Sequence, residues 1–181
     1  MRVLVTVASR HGGTREIGAR IATELESRGH AVDVVEPDEV ASLDGYGAVV
    51  LGSAVYSGHW LTDARQLAVR LGPELAERPV WLLSSGLATA PAAAANSPAE
   101  IQAVLVAIGA RGHRAFGGRL DVSTLDVDER AIIAGAQGKE GDHRDMVAVA
   151  RWAGQIAEVL AGVPTPNPAP VAATAAASAT A

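Results

Sequence analysis

Apolar residues along this chain fall into two alternating patterns: short unbroken runs, and longer stretches with helical spacing. Arg2–Ala8 is a β-branched, apolar run and predicts a buried strand. From Gly13 to Arg28, residues Ile17, Ile21, Ala22 and Leu25 recur at i, i+4, i+5 and i+8. This gives one apolar helix face, and Gly29 ends the helix. Ala31–Glu36 predicts a short strand near an edge, stopped by Pro37. Ala48–Ser53 is continuous in apolar residues, as suits a parallel sheet buried on both faces. A helix is predicted over Leu61–Glu77 and a fourth strand over Pro79–Ser85. Pro98 suits the first turn of a helix running to Gly109. His113–Asp121 predicts a fifth strand, with a bulge or break at Gly117-Gly118. Val122–Gly141 reads as irregular and Asp142–Leu160 as the last helix.

Strands alternating with helices predict an α/β fold: a parallel sheet with helices on both faces and right-handed crossovers. Ligands of such sheets sit at the carboxyl ends of the strands, at the topological switch point. The loops of interest are therefore Ser9–Thr14, Ser53–Trp60 and Ser84–Pro91. Residues 1–162 are expected to form one domain. The tail 163–181 carries Pro164, Pro166, Pro168 and Pro170 followed only by Val, Ala, Thr and Ser, and is expected to be disordered. Ala88–Ala95 is biased to Ala and Pro and is expected to be a mobile loop.

Composition narrows the function. The chain has 181 residues, 49% of them hydrophobic, enough for a full core. A net charge of −5, with a pI near 5.5, argues against non-specific nucleic-acid binding. There is no cysteine, so thiol redox chemistry, thiolate metal sites and disulfides are excluded, and electron transfer would need a bound cofactor. The five histidines are scattered without ligand spacing, and no metal site is expected. No apolar run reaches the ~18 residues of a membrane span. The first residues enter a strand without the basic and apolar stretches of a secretion signal, and the expected compartment is the cytoplasm. Stable membrane association is not expected, because Val122–Lys139 carries Asp126, Asp128 and Glu129.

Ser9-Arg10-His11-Gly12-Gly13-Thr14 joins the first strand to the first helix. The first N–H groups of a helix lack partners and the macrodipole is positive there, so the loop is built for an anion. Gly12 and Gly13 admit close backbone approach, Ser9 and Thr14 can donate hydroxyls, and Arg10 can add charge. No Lys follows Gly13, so this is not a Walker loop. A dinucleotide fingerprint is incomplete, although Glu36 could mimic its ribose-binding acid. Ser9 and Gly52-Ser53 stand where a phosphoacceptor receiver needs acids. A loop for one terminal phosphate remains, beside the plain alternative of a capped turn without a ligand.

In the second loop Ser53, Ala54, Val55, Tyr56 and Gly58 are candidate cofactor contacts. Tyr56 could wall a planar ring, or simply pack. Trp60 is expected to pack at its helix start, and His59 to cap or be solvated rather than react. In the third, Ser84, Ser85, Gly86 and Leu87 are small or apolar and could approach a flat ring edge. Asp142 and Asp145 resemble a helix-capping arrangement. No serine lies in a Gly-x-Ser-x-Gly elbow, and no catalytic side chain is expected.

The three loops together resemble the flavodoxin-like family, most closely its menaquinone-dependent protoporphyrinogen oxidase branch. Ser9–Ile17 is similar to that branch's Ser/Thr-Arg-x-Gly-x-Thr-x-Glu-Ile. Gly52–Trp60 is similar to its Gly-Ala/Ser-x4-Gly-His-aromatic, and Gly141–Asp145 with Trp152 looks like its bacterial relatives. The resemblance covers residues 1–160. It implies a flavodoxin-like three-layer sandwich with a five-stranded parallel sheet in the order 2-1-3-4-5. It also implies a noncovalent FMN, its phosphate on Ser9–Thr14 and its ring between the second and third loops. The implied activity is an FMN-dependent oxidoreductase with a small-molecule or protein redox partner; an electron carrier and a flavin-free binding protein are the alternatives. The branch's basic, apolar insertion before the last helix has no counterpart in Val122–Lys139.

Overall fold

The computed structural model describes residues 1–88, 96–135 and 139–163. The expected mobile loop, from residue 89 to 95, and the tail from residue 164 onward lie outside the described residues. The sheet has six strands rather than the five expected: a short antiparallel strand pairs with β3, and five parallel strands form the rest, β1 (Arg2–Ala8), β2 (Ala31–Val34), β3 (Ala48–Tyr56), β5 (Val80–Gly86) and β6 (Gly112–Gly117). Their order is β2-β1-β3-β5-β6, the doubly wound arrangement expected. Alternate residues of β1 serve opposite layers, as strand geometry requires. Val3, Val5 and Val7 meet α1 (Gly13–Ser27) and α6 (Met146–Ala161) through Ile17, Ile21, Leu25, Trp152 and Ile156. Leu4 and Ala8 join the opposite layer, with Leu67 of α2 (Thr62–Arg70), Leu75 of α3 (Gly72–Ala76) and Ile101 of α4 (Glu100–Ala107).

Four local differences from the expected elements bear on the site. First, β3 runs three residues past Ser53 and turns back through Ser57 and Gly58 into β4 (His59–Trp60). Both turn residues have positive φ, 49° and 80°, as a two-residue hairpin turn of matching twist demands. Second, the expected helix over Leu61–Glu77 is two helices, broken where Pro73 restarts the second. Third, the expected fifth strand ends at Gly117, whose side-chain position is filled by the His143 backbone. The chain resumes as β7 (Arg119–Leu120), which pairs with β8 (Gly141–Asp142) in a separate antiparallel ribbon. Fourth, the expected irregular stretch contains a 3-10 turn (Val122–Thr124) and α5 (Val127–Gly135). The last helix starts four residues later than expected, at Met146. Asp145 is its cap and accepts from the Val147 and Ala148 N–H groups, whereas Asp142 holds Arg144.

Candidate functional site

The sheet order reverses between β1 and β3, and a cavity of about 540 Å³ opens beyond the carboxyl ends of β1, β3 and β5. Its floor is the first loop: Ser9, Arg10, His11, Gly13 and Thr14. Ala54, Val55, Tyr56 and Ser57 form one wall, and Ser85, Gly86 and Leu87 the other. Gly118–Asp121 closes the back, while Leu125, Glu129, Ile132 and Ile133 cover it.

The floor is a helix start without a side-chain cap. Gly12 is the cap residue of α1, with φ 79°, and no side chain caps the helix. Glycine adopts that left-handed conformation freely, whereas an L side chain there is strained. The uncapped first turn therefore borders the cavity at Gly13 and Thr14, the latter 3% exposed. The macrodipole places about half a positive charge there.

Arg10 donates to Glu129 Oε1 at 2.9 Å and lies over the Tyr56 ring, 5.0 Å from its centroid. His11 Nε2 lies 3.0 Å from the same carboxylate oxygen, and its ring is tilted 51° to Tyr56 at a 6.4 Å centroid separation. The Arg10 hydrogen bond holds the Glu129 carboxyl down at about 2, against the cost of desolvation. Burial pushes the Tyr56 phenol up.

Arg144 braces the loop from behind. Its side chain is 4% exposed. It forks onto Asp142 at 2.8 and 2.6 Å, pairs with Glu16 at 2.8 Å and donates to the Gly13 carbonyl at 2.9 Å. Hydrogen bonding to Arg144 lowers the Asp142 carboxyl to about 2. Arg119 reaches Glu16 from the cavity side at 2.7 Å.

Four expected contacts lie elsewhere than on the cavity lining. Gly12 shapes the turn, and Gly58 sits in the β3–β4 hairpin. Ser53 is fully buried; its hydroxyl donates to the Ala54 carbonyl and accepts the Leu61 N–H. Ser84, also fully buried, accepts from Trp60 Nε1 at 2.7 Å and meets His113 Nε2 at 2.8 Å. Trp60 packs in the core, as expected. His59 is largely exposed and pairs with Glu100 at 3.1 Å. Glu36 is tied to Arg15 at 2.6 Å and lies off the cavity lining. Glu129, Ile132, Ile133, Arg119 and Arg144 were missed as site residues. Asp126-x-x-Glu129 ahead of the Ile pair was a readable signal: each side chain accepts the other's backbone N–H.

Fold and cavity together define a doubly wound α/β protein with its pocket at the switch point. The family model for the Flavodoxin domain matches residues 4–146, and the chain belongs to that family. A comparison with curated proteins finds no match. Among solved structures, the chain is similar to a cysteine-to-serine mutant of flavodoxin from Pseudomonas aeruginosa: 14% identity, TM-score 0.58, covering 90% of this chain and 100% of that one. Oxidised flavodoxin 1 from Bacillus cereus matches with 13% identity and TM-score 0.62, over 91% and 100%. The rubredoxin oxygen:oxidoreductase of Desulfovibrio gigas matches with 10% identity and TM-score 0.57, over 90% of this chain but 37% of that one. At these identities the structural likeness shows the shared fold.

Proposed function

We propose that the chain binds FMN noncovalently in this cavity and acts as a flavin-dependent oxidoreductase. One observation carries the reading: an uncapped helix N-terminus with a left-handed glycine opens into a cavity whose walls are otherwise largely apolar or small. That is the donor set for a terminal phosphate joined to a flat ring, and about 540 Å³ lies within the usual range for a small-molecule site. Ser9, Thr14 and the Gly13–Arg15 N–H groups would hold the phosphate. Tyr56 and Leu87 would flank the ring, and Ser85 and Gly86 would offer backbone groups to its edge. When bound, the flavin supplies the electron and hydride chemistry. The residues bind and orient it, exclude water and set the field around it. Membership of the flavodoxin-domain family supports the same cofactor.

Protoporphyrinogen oxidation is the narrower form of this reading. It rests on the loop resemblance alone and gains no support from the family match or the structural neighbours. The partner class is a small molecule or a redox protein, and the expected setting is cytoplasmic; no described helix is long and apolar enough to cross a membrane. The test is equilibrium dialysis against FMN, FAD and NAD, with visible spectra before and after FMN addition. FMN is expected to bind tightest and to shift its spectrum; tighter binding of FAD or NAD refutes the reading.

A further inference from the structure

We propose that α5 is a lid over the cavity and that Glu129 is its latch. Only the identity of the ligand rests on the flavin reading; the latch is a property of the chain by itself.

α5 is attached unlike the other helices. Each of α1, α2, α3, α4 and α6 buries at least one side chain, whereas α5 buries none. Val127 is 80% exposed and Ile132 61%. Among the described residues, what ties α5 to the body is one carboxylate and the two isoleucines that line the cavity. Glu129 Oε1 receives Arg10 and His11 from the first loop, while Oε2 receives the Asp126 N–H at 3.1 Å and so caps the helix's own start. An element with so few buried contacts opens at low free-energy cost. Opening α5 requires breaking the charge-assisted bonds of Glu129 and withdrawing Ile132 and Ile133. Closing it does more than cover the cavity, because Arg10 also lies on the Tyr56 ring. Latch, floor and wall thus share one set of contacts, and an open lid leaves Arg10 and Tyr56 less ordered.

A gate and a ligand contact have different kinetic signatures. Loss of a ligand contact acts mainly on the dissociation rate. Loss of a gate speeds both entry and exit, and moves affinity less than either rate. The experiment compares the full wild-type chain with Glu129→Gln, which can still accept the Asp126 N–H, and with Arg10→Met, which removes the latch from the other side. Hydrogen exchange of residues 127–135 is measured without ligand, and FMN association and dissociation by stopped-flow fluorescence. Both variants are expected to exchange α5 amides about tenfold faster with the sheet unchanged, and Glu129→Gln to bind and release FMN several-fold faster. Wild-type exchange over 127–135 in both variants overturns the latch. So does a faster dissociation with unchanged association in Glu129→Gln, which would make Glu129 a ligand contact. Faster α5 exchange in proteins that take up no FMN supports the lid and refutes the flavin reading instead.

Discussion

Replacing Arg144 tests how the first loop is held. Its guanidinium is almost fully buried, yet its carboxylate partners, Asp142 and Glu16, are 46% and 48% exposed. Arg144→Met therefore leaves no buried orphan carboxylate; both acids return to water, and each lost pair costs only about 0–1 kcal/mol. The Gly13 carbonyl is different. It loses a charged donor at 2.9 Å in a part-buried position, a contact of roughly 1.5–3 kcal/mol. The buried methionine stem recovers part of the loss. A net destabilisation of about 2–3 kcal/mol follows, or roughly 4–12 °C in Tm for a domain of this size. Arg144→Lys keeps the charge but cannot span three acceptors, and should cost about half as much. Thermal unfolding by circular dichroism gives the magnitudes, and hydrogen exchange at Gly13–Glu16 shows whether the loss is local to the helix start. If Arg144→Met melts within about 1 °C of wild type, the brace contributes nothing and the reasoning fails.

Four further outcomes follow from particular residues. Gly86→Ala would place a methyl inside Asn96, whose amide bonds both the N–H and the carbonyl of Ala88, so a loss of about 1–3 kcal/mol is expected in urea denaturation. Thr14→Ala should weaken FMN binding about tenfold in a fluorescence titration, with the exposed Thr23→Ala as the neutral control. A Cβ at Gly12 meets no atom within 4 Å, so Gly12→Ala should cost the positive φ alone, about 1–2 kcal/mol in urea denaturation. Burial holds His113 and His30 below their ordinary value of 6.5. The unfolded chain then takes up protons first, so their contribution is present above 6.5 and is lost as pH falls through it. The urea midpoint should fall between about pH 7.5 and 5.5, less so in His113→Gln, and a midpoint that rises on acidification contradicts the assignment.

The sheet and its helices were legible in the chain because burial imposes period. Val3, Leu4, Val5 and Val7 are apolar on both faces since both faces are covered, and Ile17, Ile21 and Leu25 mark the covered face of α1. The first loop was legible as well, because its function belongs to the backbone: a strand end, a left-handed glycine and a helix start are local events. What the pattern could not convey was partnership across distance. Ser53 and Ser84 look alike to Ser9 in sequence, but Ala54 and Leu61 consume the hydroxyl of the first, and Trp60 and His113 that of the second. The Asp126-x-x-Glu129 spacing signals a helix start, but only the fold brings Glu129 onto Arg10, 119 positions away, and onto the lining of the cavity. Gly13 and Arg144, 131 positions apart, meet for the same reason. Local propensity is set by neighbours along the chain, whereas a charge finds its partner only after the sheet has ordered the loops at one end.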